Sequence, residues 1–60
     1  MEKNYIVHLK NGDQIQVNNI IQVKSVEGVY YLKERSKEPG SDNKTIFTTA
    51  VENVKYIIAK

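Results

Sequence analysis

Cysteine and tryptophan are absent from this 60-residue chain, proline occurs once, and glycine occurs three times. Without cysteine there is neither a disulfide framework nor a thiolate metal site. Long apolar runs are missing too. They reach four residues, as at Val29–Leu32, too short for a membrane-spanning helix or the core of a secretory leader. A soluble, cytoplasmic protein is therefore expected, with no membrane partner. Charge of one sign is also lacking. Nine Lys and Arg face seven Asp and Glu, a formal net charge of +2, and the two signs interleave as in Lys33-Glu34-Arg35. Nucleic-acid binders usually carry a stronger, clustered excess of base, so the mixed charge reads first as a solvated surface.

What is present describes an ordinary small domain. Hydrophobic residues make up 40% and charged residues 27%, which sets the chain apart from disordered ones. Its length allows one domain, residues 1–60. A domain of this size buries only about 60% of the surface its unfolded chain exposes, so its stability is marginal. With disulfides absent and no metal-ligand set visible, oligomerisation is the remaining staple, and a homo-oligomer is expected.

The periodicity is that of strands. Isoleucine, valine and threonine account for 17 residues against two leucines and two alanines, and β-branched side chains suit a pleated, half-buried surface. Turn signals recur at Asn11-Gly12, Glu27-Gly28 and Pro39-Gly40, the pattern of a small all-β meander or barrel. In the first hairpin a two-residue loop would mix apolar and polar groups on one face. A three-residue loop, Lys10-Asn11-Gly12, sets Val7 opposite Ile15 and Tyr5 opposite Val17. Burial selects the second, because a one-residue slip reverses every side chain, and Gly12 then takes the left-handed position of a bulge.

The second hairpin, Ile20 to about Arg35, is expected to turn on two residues, Glu27-Gly28. Val23 then faces Leu32, and Ser25 faces Tyr30. Ile21, Val23, Tyr30 and Leu32 would share the core face, leaving Gln22, Lys24, Val26, Val29, Tyr31, Lys33 and Arg35 on the other. Residues 36–44 contain no apolar side chain and read as a flexible loop. Thr45 to about Thr49 is a further strand, Ala50–Asn53 a short 3₁₀ turn, and Val54–Ala59 the last strand, with Val54, Tyr56 and Ile58 on one face.

The opening hairpin from Tyr5 to Asp13 and the closing stretch from Phe47 to Ile57 resemble a small SH3-like or Sm-like β-barrel of four to six strands, or a strongly bent antiparallel meander of the same elements. In such barrels a 3₁₀ turn precedes the final strand. The overall style is similar to short accessory proteins of phages and prophages of Gram-positive bacteria. The resemblance implies a stoichiometric effector or inhibitor of a host protein, such as a defence factor. Neither family's ligand site transfers: tryptophan is absent, and Glu52-Asn53-Val54 stands where the glycine-bearing signature of Sm proteins would be. A shared fold does not by itself carry function.

Chemistry-bearing patterns are sparse. His8 is the single histidine. It alternates with core positions and reads as a surface residue, since a catalytic base needs a nucleophile or acid in reach and a metal site needs several ligands. The three glycines sit in separate turns rather than in a phosphate-binding loop. No catalytic residue, metal ligand or cofactor is expected, and the protein reads as a non-catalytic binding module.

Two surfaces are candidates for binding. Lys24, Tyr31, Lys33 and Arg35 place a ring among bases on the outer face of the second hairpin. A protein partner is the first expectation there. Single-stranded DNA or RNA is the alternative, because rings stack on bases while Lys and Arg meet phosphates. A third reading is an oligomeric sponge that captures a small nucleotide signal between subunits. The other surface is apolar: Ile20, Val26, Val29 and Ile57 fall outside the faces assigned to the core and read as an oligomer interface.

Overall fold

The β-branched composition resolves into one antiparallel sheet in a computed structural model that describes residues 2–60. The strands are β1 (Lys3–Leu9), β2 (Gln14–Val26), β3 (Val29–Glu34), β4 (Lys44–Ala50) and β5 (Val54–Ala59), with a 3₁₀ turn at Val51–Asn53 before the last. Their spatial order is β4-β3-β2-β1-β5.

Both hairpins adopt the expected registers. Val7 pairs with Ile15 and Tyr5 with Val17. The Gly12 N–H donates to the Leu9 carbonyl at 3.0 Å, and Gly12 has φ +99°, where a β-carbon would be strained. The Asn11 carboxamide oxygen accepts from the Asp13 N–H at 2.9 Å, which closes the turn locally. In the second hairpin Val23 faces Leu32 and Val26 faces Val29. Glu27 and Gly28 both have positive φ, +50° and +79°, as a type I′ turn requires.

The sheet is strongly bent but does not close into a barrel. Ala50 and Val54 are four residues apart, a reach of about 14 Å at most. A flat sheet would hold β4 and β5 four strand spacings apart, about 19 Å. The sheet must therefore curl. Closure fails for a directional reason: with every neighbouring pair antiparallel, β4 and β5 run the same way. Parallel neighbours need a crossover of about a dozen residues or more, and the link here is three residues long. Two strand edges therefore stay open.

The bend is concentrated in β2, whose first half pairs with β1 and whose second half pairs with β3. Between the halves Asn19 takes φ +62°, a conformation asparagine tolerates better than most residues. Its N–H donates to the Asn4 side-chain oxygen at 3.1 Å. Ile20 pairs with both Lys3 and Glu34, and the register with β3 shifts before Gln22. Ile21 is the extra residue of this bulge.

Inside the curl lie Val7, Val17, Ile20, Leu32 and Val54, with Tyr5, Leu9, Ile15, Val23, Tyr30, Phe47 and Ile57 packed around them. Val7, Ile20 and Leu32 are sealed off almost completely, and burial of each side chain contributes roughly 1.5–3 kcal/mol.

Two expectations about faces are corrected by bulges. In β2 the register with β1 shifts between Val17 and Ile20 and the register with β3 shifts at Ile21, so the first irregularity puts Ile20, not Ile21, into the core and the second returns Val23 to it. In β5, Leu9 pairs with Val54 but His8 pairs with Tyr56, so Lys55 is the extra residue and the alternation reverses after it. Ile57 turns inward beside Val7. Tyr56 and Ile58 turn outward, each 45% exposed, rather than sharing the core face with Val54. The proposed interface set therefore divides. Ile20 is 1% exposed within its own subunit and Ile57 packs on the core. Val26 is exposed and Val29 half-buried.

Candidate functional site

The outer face of β2, β3 and β4 carries the basic and aromatic residues singled out by the sequence. Strand pairing arranges them in rows that cross the three strands. Lys24 lies opposite Tyr31, which lies opposite Thr48. Beside this row, Gln22 lies opposite Lys33, which lies opposite Thr45. On the other side Val26, Val29 and Ala50 form an apolar row. Tyr31 and Lys33 are half-buried, whereas Lys24 and Arg35 are exposed. The tyrosine is thus fixed at the centre of the patch by its neighbours, with cationic heads around it. Ile46, 40% exposed, sits on β4 where the register with β3 shifts between Leu32 and Lys33.

Arg35 lies just past the end of β3 and leaves the rows. It lines a cleft of about 390 Å³ together with Glu34, Ser36, Lys37, Glu38 and Lys44. The cleft continues the patch into the 36–43 loop, held to the sheet by the Asn43 carboxamide donating to the Gln22 side-chain oxygen at 3.5 Å. Lys24, Tyr31 and Lys33 are therefore brought together, and Arg35 stands at their margin among both acids and bases.

A second patch is not visible in the sequence pattern. On the outer face of β1 and β5, His8 stacks on Tyr56, ring centroids 4.3 Å apart and planes at 28°, and Ile6 pairs with Ile58. Gln14 and Gln16 continue these rows on β2. The Lys60 ammonium donates to the Gln16 side-chain oxygen at 3.1 Å. His8 Nε2 is buried without a hydrogen-bond partner, an arrangement that costs stability rather than supporting it. Among the described residues no three His, Asp or Glu side chains are placed to hold a metal ion, and no helix is long and apolar enough to cross a membrane.

The chain matches no protein-family model, no curated protein and no solved structure. The surface itself is thus what bears on function.

Proposed function

We propose that this protein is a non-catalytic binding module of the cytoplasm that engages a protein partner through the outer face of β2, β3 and β4. One observation carries the reading: Tyr31 is held at the centre of three strands, with Lys24 and Lys33 beside it and the aliphatic row Val26–Val29 along one flank. Tyrosine and arginine recur as binding anchors, because they join a large apolar body to a polar tip. A patch of this mixture fits a partner surface that offers carboxylates around an apolar depression. The resemblance to phage accessory proteins makes a host protein the expected target, held stoichiometrically and blocked by occupancy.

Affinity capture from host lysate, with and without nuclease, tests the reading when run beside the double variant Lys33→Glu, Arg35→Glu. Both side chains lie outside the core, so the variant is expected to stay folded. The wild type should retain a protein that nuclease does not release and that the variant loses. Capture that disappears with nuclease would assign the face to single-stranded nucleic acid instead. Thermal stabilisation by a nucleotide would favour the sponge reading.

A further inference from the structure

We infer that β5 is a self-pairing edge: two copies of this chain join through antiparallel β5 strands about a two-fold axis at Ile57. The inference concerns a different surface from the proposed partner site and does not rest on it.

The two open edges are not equivalent. The bulge of β4 falls at Ile46 and leaves Phe47–Ala50 regular, but on the outer face that stretch carries only the polar Thr48 and the small Ala50. The bulge of β5 falls at Lys55, near its start, and leaves Tyr56–Ala59 regular and uncharged. The backbone of that stretch is poised for a neighbour. The Lys60 N–H donates inward to the Asn4 carbonyl at 2.7 Å. By strand alternation the groups of Ile58 and Tyr56 also face β1, while those of Ile57 and Ala59 face the open side.

The side chains choose the occupant. Two of the four large exposed hydrophobics, Tyr56 and Ile58, lie on this strand two residues apart, each 45% exposed. A two-fold axis at Ile57 sets Tyr56 opposite Ile58 of the second copy, and Ile58 opposite the second Tyr56, so each covers the other. Lys55 then faces Ala59. An axis moved to Lys55 would set two lysines against each other, so the charge also selects the register. The surface has area to lose. The chain exposes 4392 Å², against about 4,000 Å² for a typical folded monomer of this mass. Pairing through four residues of a single strand gives a small, concentration-dependent interface rather than an obligate one.

Cysteine cross-linking tests the register, because the chain has no native cysteine. Paired residues of the non-hydrogen-bonded type lie about 4.5 Å apart at Cα, within disulfide reach. The same residue in the two copies would be about 8 Å apart at position 56 or 58, beyond it. Tyr56→Cys mixed with Ile58→Cys should therefore cross-link faster under mild oxidation than either alone, and faster than a Thr48→Cys control on the opposite edge strand, β4. The wild type should approach twice 6.9 kDa in sedimentation at high concentration, and Ile58→Lys should lose that species while keeping its circular-dichroism spectrum. Fastest coupling of Ile58→Cys with itself, coupling no faster than the control, or a wild type that remains monomeric at millimolar concentration would each overturn the inference.

Discussion

The outer surface has two unlike halves. On β2, β3 and β4 it is cationic around Tyr31, and the tyrosine lies on a central strand with neighbours on both sides. On β1 and β5 it is apolar around Tyr56, which lies on an edge strand with one side open. Two tyrosines on the same face of the same sheet thus occupy different physical situations. Tyr31 can be approached only from above, side chain first. Tyr56 can also be approached along the strand, where backbone pairing is available. The first situation suits a folded partner, and the second suits another strand.

The comparison breaks most severely if the sheet that separates the halves is undermined. Leu32 is 0% exposed and lies between Val23 and Phe47. Leu32→Ala should cost about 2–5 kcal/mol, enough to leave much of so small a domain unfolded, as a thermal melt would show. The proposed partner binding and the proposed self-pairing should then vanish together. Tyr31→Ala should separate the halves, weakening partner binding by roughly ten- to a hundredfold as a central anchor does. Tyr56→Ala should leave that affinity unchanged in the same titration while reducing self-association.

Smaller effects sharpen the picture. His8→Phe keeps the ring stacked on Tyr56 and removes the unpartnered Nε2, so chemical denaturation should show a gain of about 1 kcal/mol. Glu27→Asn places a residue that accepts positive φ at the first turn position, and should add about 0.5–1 kcal/mol without altering either half.

The strands, the 3₁₀ turn and both hairpin registers are legible in the sequence, because Gly12 and Gly28 fix the turns and a one-residue slip would expose the core. The faces of β2 and β5 are not legible from strict alternation. A bulge adds one residue without a fixed composition, and each bulge reverses the facing of every residue beyond it. A trace does exist in the spacing of the core residues. Val17, Ile20 and Val23 are three apart, as are Val54 and Ile57, whereas an unbroken strand buries every second residue. Threefold apolar spacing within a β pattern therefore marks the bends. The same reversal hides the His8–Tyr56 patch, since strict alternation places Tyr56 inward with Val54. The Lys24–Tyr31–Lys33 cluster is legible because it lies on the far side of a regular turn with no bulge between Gln22 and Lys33.

The proposed division of labour between the two halves is tested most directly by adding a partner obtained by affinity capture to isotope-labelled protein and tracking each backbone amide by nuclear magnetic resonance. The amides of Lys24, Tyr31, Lys33, Arg35 and Thr48 should shift or broaden, while those of Tyr56–Ala59 stay in place. Perturbation centred on β1 and β5, with the Tyr31 row undisturbed, would contradict the assignment.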